Sequence, residues 1–341
     1  MIKMNDLEKR YQQYLQPSQA LIADIARLEG DILILGVGGK MGPALALLAR
    51  QAVDQSGIKK RIIGVSRFSE PGLQARLHQN GIETITADLL DEDQLQALPE
   101  APNVLYLAGT KFGTTGNESF TWAMNTYLPG RVAEKFKNSR IVVFSTGNVY
   151  PFVPVVSGGA TESLPPEPIG EYGQSCLGRE RIFQYFATKS NTPILIYRLN
   201  YANDVSYGVL LEIAKSVKES KPIDLAMGTV TVIWQGDANE IALRALHHCA
   251  TPAKILNVTG PEIVSVRWLA EEFGEILGIA PQFINEEQST SLLSNAAESF
   301  RLFGYPKVSL KQMMEAILEW YVEGGEILNK PTHFSERKGK F

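Results

Sequence analysis

Apolar residues in the first 30 positions fall at helical spacing. The helical run breaks at Pro17 and restarts at Ser18, whose hydroxyl suits a helix N-cap; Leu21, Ile22, Ile25 and Leu28 then share one face until Gly30. This extension, residues 1–30, either lies on the main domain or packs against a second subunit. From Asp31 the pattern changes. Ile32-Leu33-Ile34-Leu35 leads through a glycine turn to a helix over Ala44 to Ala52, and Ile62-Ile63-Gly64-Val65 to a helix near Leu73 to Gln79. Thr84-Ile85-Thr86-Ala87, Val104-Leu105-Tyr106-Leu107 and Ile141-Val142-Val143-Phe144 continue the series. Runs without polar alternation predict strands buried on both faces of a parallel sheet. Alternating with helices, they predict a doubly wound, Rossmann-like α/β domain.

Beyond Tyr150, the segment Pro151 to Gly170 is rich in Pro, Gly and Ser and reads as a loop at a functional rim. A helix begins near Glu171, and Pro193 to Leu199 is another buried strand. The expected organisation is a dinucleotide-binding domain over 31–200 and a smaller, mainly substrate-binding lobe over 201–330. A return strand to the sheet is expected near 230–260. The tail 331–341 is polar, and its basic stretch from His333 reads as solvated.

Composition narrows the function classes. The chain has 341 residues, 44% hydrophobic and 21% charged, enough apolar material for a core. With 33 Lys and Arg against 37 Asp and Glu there is no basic footprint, which argues against nucleic acid or an anionic membrane as the main partner. No apolar run approaches the roughly 20 residues needed to cross a bilayer. The first ten residues, with Lys3, Asp6, Glu8 and Lys9, do not read as a secretory signal. Two cysteines, Cys176 and Cys249, fit a reducing compartment. A cytoplasmic protein with a small-molecule substrate is expected.

The first predicted strand runs into Gly36-Val37-Gly38-Gly39-Lys40-Met41-Gly42, and a helix follows. Such a turn lets the backbone approach a pyrophosphate while the helix N-terminus offers free N–H groups. The second strand ends at Ser66-Arg67. A carboxylate there would bind ribose hydroxyls, whereas a small hydroxyl and a guanidinium suit a ribose 2′-phosphate, so NADP(H) is favoured over NAD(H). Asp88-Leu89 after the third strand either caps the adenine edge or opens the next helix. Ala108-Gly109 ends the fourth strand, where small residues would lie against a cofactor. Asn125, inside an apolar helix from Phe120 to Val132, reads first as a buried side chain holding backbone groups.

Together with these, Ser145-Thr146-Gly147-Asn148-Val149-Tyr150, Pro168-Ile169-Gly170-Glu171-Tyr172-Gly173-Gln174-Ser175, Asn257-Val258-Thr259-Gly260 and Phe303-Gly304-Tyr305-Pro306 resemble the extended short-chain dehydrogenase/reductase superfamily. Within it the likeness is to the NAD-dependent epimerase/dehydratase family, over Asp31 to about Pro306. The resemblance implies a cofactor site at Gly36, Gly38, Gly39, Lys40, Met41, Gly42, Ser66, Arg67, Asp88, Leu89, Ala108, Gly109, Asn125, Ser145 and Tyr172. It also implies a sugar-like or nucleotide-sugar substrate and a homodimer. In the family a Ser or Thr holds the substrate oxygen, a Tyr exchanges its proton, and a Lys four residues later lowers the Tyr pKa. Thr146 and Tyr172 match; the Lys position is Cys176. A thiol supplies no positive charge. Arg179, at i+7 on the same helix face as Tyr172, and Lys111 after the fourth strand are the candidate cations, and Cys176 itself reads as a small packed residue. Without such a cation, a dinucleotide-binding sensor or scaffold is the alternative.

Around Arg198-Leu199-Asn200-Tyr201 the family often has R-x-x-N; here Tyr201 holds the Asn place, flanked by Asn200 and Asn203. His247-His248-Cys249 reads as a helix end and not a metal site, because adjacent helical side chains diverge by about 100°. Trp234, followed by Gln235 after a strand over Val230 to Ile233, is expected in the core. The polar loop Gly109 to Asn117, with Lys111, Thr114 and Thr115, is either a substrate rim or an ordinary loop.

Overall fold

Seven short strands assemble into one parallel sheet in the computed structural model, which describes residues 4–111, 113 and 115–340. Its strands are β1 (Ile32–Leu35), β2 (Ile62–Ser66), β3 (Glu83–Thr86), β4 (Asn103–Tyr106), β5 (Arg140–Thr146), β6 (Ile194–Leu199) and β7 (Lys254–Val258). Their order is β7-β6-β5-β4-β1-β2-β3, and every pairing is parallel. The order reverses between β1 and β4, which opens a crevice at the carboxyl ends of the strands.

The helices in chain order begin with α1 (Met4–Gln13), α2 (Gln19–Arg27), α3 (Gly42–Ser56), α4 (Leu73–Gln79), α5 (Glu92–Gln96), α6 (Glu118–Trp122) and α7 (Leu128–Lys135). They continue with α8 (Gly170–Ser190), α9 (Val209–Lys218), α10 (Gln235–Arg244), α11 (Val266–Leu277), α12 (Ala297–Phe303) and α13 (Leu310–Val322). Successive strand residues point to opposite faces, so both faces of the sheet are covered. Ile32 and Ile34 pack with Leu21, Leu45 and Ala242 on one side. Leu33 and Leu35 pack with Leu128, Val132 and Phe183 on the other. A separate core joins α9, α11 and α13 in the C-terminal lobe. Among the described residues no helix is long and apolar enough to cross a membrane.

The N-terminal extension lies on its own chain. Ser18 caps α2 by accepting from the Leu21 N–H (3.1 Å), and Leu21 and Ile25 are buried in the sheet's core. Tyr11 of α1 meets Trp234 edge-on, with ring centroids 5.8 Å apart. Trp234 is fully buried and donates to the Tyr14 carbonyl (3.3 Å), so its burial also anchors the extension.

Three local expectations are corrected. The third strand is not buried on both faces: β3 sits at the sheet edge, with Glu83 and Thr86 exposed and Thr84 and Ile85 half-buried. The helix read from Phe120 to Val132 starts at Glu118 and is interrupted over Ala123–Tyr127 by a wider π turn, which carries Asn125. Such turns recur at functional sites. The polar tail is docked rather than solvated, with Thr332 and Phe334 buried, because its backbone and Arg337 find partners on the body of the protein.

Candidate active site

Gly36 leaves β1 with φ +90°, and a methyl there would stand 2.7 Å from the Ala108 backbone nitrogen. The turn therefore lies flat against the end of β4, as only glycine permits. Gly38 presses on the Ser66 side chain, and Gly42 on the Val37 carbonyl. Gly39 and Lys40 are exposed on the cleft side. The α3 N-terminus begins at Gly42, and its N-cap, Met41, supplies no side-chain acceptor. In its first turn Gly42 donates to the Gly39 carbonyl (3.2 Å), Leu45 to the Met41 carbonyl (3.0 Å) and position 43 is proline, so the helix start offers an anion such as a pyrophosphate the Ala44 N–H and the positive end of the dipole.

Ser66 and Arg67 stand at the outer end of this turn. The Arg67 side chain is exposed, with its guanidinium 4.0 Å from Asp88. Asp88 accepts from the Leu90 N–H (3.0 Å), and it is Asp91 that caps α5, by accepting from the Gln94 N–H. The helix-opening role weighed for Asp88 thus belongs to Asp91. Leu89 is buried in the core.

At the inner end, the first turn of α8 brings the Tyr172 phenol beside the Thr146 hydroxyl at the end of β5. The Cys176 thiol lies one helical turn on and also reaches the phenol. Burial, reinforced by Cys176, raises the Tyr172 pKa, against a smaller lowering by Arg179. The phenol is a proton donor at neutral pH. Cys176 is fully buried among Val149, Tyr150 and Leu293, and burial pushes its thiol up. Lys111 Nζ stands 5.9 Å from the centre of the Tyr172 ring, within cation–π range. Burial pulls its pKa down to about 8.

Arg179 lies behind this wall. Its guanidinium donates to the Phe144 carbonyl (2.8 Å) and to Asn125 Oδ1 (2.6 Å). Asn125 Oδ1 also accepts from the Thr110 N–H (3.0 Å), while its amide nitrogen donates to the Thr110 carbonyl (2.9 Å) and Ser175 Oγ (3.0 Å). Asn125 thereby holds the strand end that carries Gly109 and Lys111. Gly109 has no room for a Cβ, which would fall 2.9 Å from Asn125 Oδ1. Ser145 donates to Glu180 (2.6 Å), which is buried in an ion pair with Arg198 (2.6 Å).

One chamber brings together Lys40, Met41, Lys111, Ser145, Thr146 and Tyr172. Asn200 and Tyr201 reach it from the end of β6, whereas Asn203 is turned away to cap α9 by accepting from the Leu210 N–H (3.0 Å). Sequence reasoning missed Asn148, whose amide donates to Thr146 Oγ1 (3.0 Å), and Tyr207 and Thr332, which close the chamber. Asn148 was visible in the stretch after β5; Tyr207 and Thr332 carry no periodic or motif signal. Gln235, at the start of α10, is buried. His247 faces the Asp24 carbonyl, His248 stacks edge-on against Phe303, and Cys249 donates to the Ile141 carbonyl, so the three diverge at a helix end. Thr114 lies outside the described residues.

A parallel sheet with a glycine turn at its switch point and a second lobe closing over a Tyr–Thr pair defines a Rossmann-like protein of the extended short-chain dehydrogenase/reductase superfamily. Residues 32–258 match the model of the NAD dependent epimerase/dehydratase family, and the chain belongs to that family. The fold is similar to UDP-glucose 4-epimerase from Thermotoga maritima with UDP-glucose, at 17% identity and a TM-score of 0.70, over 86% of this chain and 99% of that one. It is similar to UDP-glucuronic acid 4-epimerase from Bacillus cereus in complex with NAD, at 22% identity and 0.69 over the same shares. A third is dTDP-glucose 4,6-dehydratase from Bacillus anthracis with NAD, at 16% identity and 0.72, over 87% and 97%. A search of curated proteins finds no match to the sequence.

Proposed function

We propose that the protein is an NAD(P)-dependent oxidoreductase or epimerase acting on a hydroxylated or carbonyl substrate, with Tyr172 as the proton-exchanging group and Thr146 as the holder of the substrate oxygen. The observation that carries this reading is that the Tyr172–Thr146 pair opens into the same chamber as Lys40 and Met41 of the glycine turn. The flat turn and the uncapped start of α3 fit a dinucleotide pyrophosphate, and family membership supports a nicotinamide cofactor. When bound, that cofactor supplies the hydride donor or acceptor. The chain's own part is to orient the substrate oxygen between two hydroxyls and to move one proton at the Tyr172 oxygen. Lys111, over the ring, is the cation that favours the phenolate once the proton has gone.

NADP(H) is favoured over NAD(H) because the β2 end presents Ser66 and the exposed Arg67 in place of a carboxylate. Fluorescence titration with NADPH and NADH tests both claims. Arg67→Ala is expected to weaken NADPH binding about tenfold or more and to leave NADH nearly unchanged, in line with the loss of a charged hydrogen bond. Equal losses would end the 2′-phosphate assignment, and absence of binding to either nucleotide would end the cofactor reading. A second reading, dinucleotide binding without turnover, draws on Cys176 in the lysine position and on the burial that holds the Tyr172 proton. Tight nucleotide binding with no turnover across hydroxy and keto compounds would favour it.

A further inference from the structure

Residues 326–340 cross the mouth of the cleft as a strap, set off from α13 by Gly324 and Gly325. On the side of the smaller lobe, the Leu328 N–H donates to the Ser206 carbonyl (3.0 Å) and the Thr332 N–H to Glu212 Oε2 of α9 (2.7 Å). Phe334 is buried in that lobe's core, and the Tyr201 hydroxyl donates to its carbonyl (3.4 Å). Farther on, Arg337 donates to the Thr290 carbonyl and hydroxyl (2.8 Å each) and lies over the Phe152 ring. Gly339 comes so close to Gly170, the first residue of α8, that neither has room for a methyl. The strap thus reaches from the smaller lobe to the helix that carries Tyr172.

Its underside meets the residues that the proposed function uses. Lys111 Nζ, which stands over the Tyr172 ring, donates to the Thr332 carbonyl (3.3 Å). The Tyr207 hydroxyl donates to the Pro331 carbonyl (3.4 Å), and the ring of the same residue covers Lys40 Nζ of the glycine turn. The roof therefore touches both ends of the path from the glycine turn to Tyr172, on which a dinucleotide bound as proposed would lie. With the strap seated, the chamber between those ends is about 140 Å³, against roughly 300–1,000 Å³ for ordinary ligand clefts. A nicotinamide end and a substrate do not share it until the roof moves. The strap is suited to moving, because it is held mainly by hydrogen bonds of its backbone and of Arg337, which water can replace.

We propose that the strap is an autoinhibitory lid: seated in the nucleotide-free chain, it gates the cleft and lifts to admit the dinucleotide. The proposal rests on the reading of the glycine turn and the Tyr172 chamber as one dinucleotide site, but its test does not depend on turnover. Only the open fraction of molecules binds, so association rate and apparent affinity both scale with that fraction. Stopped-flow fluorescence with NADPH, and in parallel with NADH, measures both in the intact chain, in Arg337→Ala and in Gly339→Ala, each verified as folded by thermal melts. Arg337→Ala releases the strap from Thr290, and Gly339→Ala pushes its end off α8. Each is expected to speed association, Arg337→Ala by about tenfold or more, and to lower Kd by the same factor with dissociation unchanged. Such a rise requires the intact chain to be open no more than about one-tenth of the time. Hydrogen–deuterium exchange gives the second readout: saturating nucleotide is expected to speed exchange over 326–340 in the intact chain. Association no faster in either variant overturns the lid while leaving the cofactor reading in place. So does exchange over 326–340 that is unchanged or slowed by bound nucleotide, as a clamp closing over its ligand would give. Absence of binding to all three chains removes the cofactor reading, and the lid falls with it.

Discussion

Burial and the Cys176 thiol both raise the pKa of Tyr172, while the Arg179 guanidinium that opposes them is turned toward Phe144 and Asn125. The phenol therefore starts any cycle protonated, suited to donating to an oxygen on which negative charge grows. Tyr172→Phe is expected to cut turnover by about 10²–10⁴, the usual worth of a positioned acid or base, once a substrate is in hand. Cys176→Ala should leave turnover within about threefold, because the thiol is a packed group whose loss costs stability rather than chemistry. A 100-fold loss in that variant would show that the thiol takes part. Lys111 adds a pH dependence. It faces Lys40, Tyr172, Cys176 and Glu212 in and around the chamber, and burial brings its pKa down to about 8. Its ammonium is present below that value and lost above it. Turnover that relies on this ammonium beside Tyr172 should hold at pH 6–7 and fall as pH rises through about 8, by up to about tenfold per unit, while Lys111→Gln flattens that limb. A wild-type profile that is flat to pH 9.5 would exclude Lys111 as the titrating partner.

Glycines on two elements give the same substitution opposite signs. At the end of β4, Gly109 faces the Arg179–Asn125 pair, so Gly109→Ala must push apart a buried, fully bonded network; a loss of about 1–3 kcal/mol is expected. Gly130, inside α7, has only Ile182 at 3.7 Å, an ordinary contact. Gly130→Ala should stabilise by up to about 1 kcal/mol through helix propensity alone. Denaturant melts of the two variants decide the matter, and a gain at Gly109 or a loss at Gly130 would contradict the packing described here. The same contrast explains what the sequence made legible. Five of the seven sheet strands, β1, β2, β4, β5 and β6, carry a run of three or more residues without a strongly polar side chain, and the glycine turn falls where the first strand ends. β3 misled because Thr84-Ile85-Thr86-Ala87 is β-branched and short, which fits an edge as well as a centre. The role of Asn125 was half legible. Its burial followed from the apolar helix around it, but its partners, Thr110 and Ser175, come from distant segments that no local pattern connects.

At the scale of the whole molecule the least legible feature is the strap. A polar, basic tail without periodicity gives no local reason to dock, and its holds lie far away in sequence: Glu212 is 120 residues from Thr332, and Thr290 is 47 from Arg337. Docking is a property of the cleft, which offers a carboxylate and open carbonyls where the tail passes. It follows that the tail's order depends on a few polar anchors rather than on a core of its own. Arg337 makes the most contacts beyond the mouth, with the Thr290 carbonyl and hydroxyl and the Ala226 carbonyl (3.2 Å). Hydrogen bonds to a charged donor contribute about 1.5–3 kcal/mol, which corresponds to roughly ten- to a hundredfold in a local opening equilibrium. Hydrogen–deuterium exchange over 326–340 should accordingly show protection in the intact chain, centred on the Thr332 and Phe334 amides. In Arg337→Ala the same peptides should exchange faster by about that factor, while β1, β4 and β5 stay unchanged. Complete exchange of the wild-type tail within seconds would mean that it is solvated after all, and the chamber would then lose its roof.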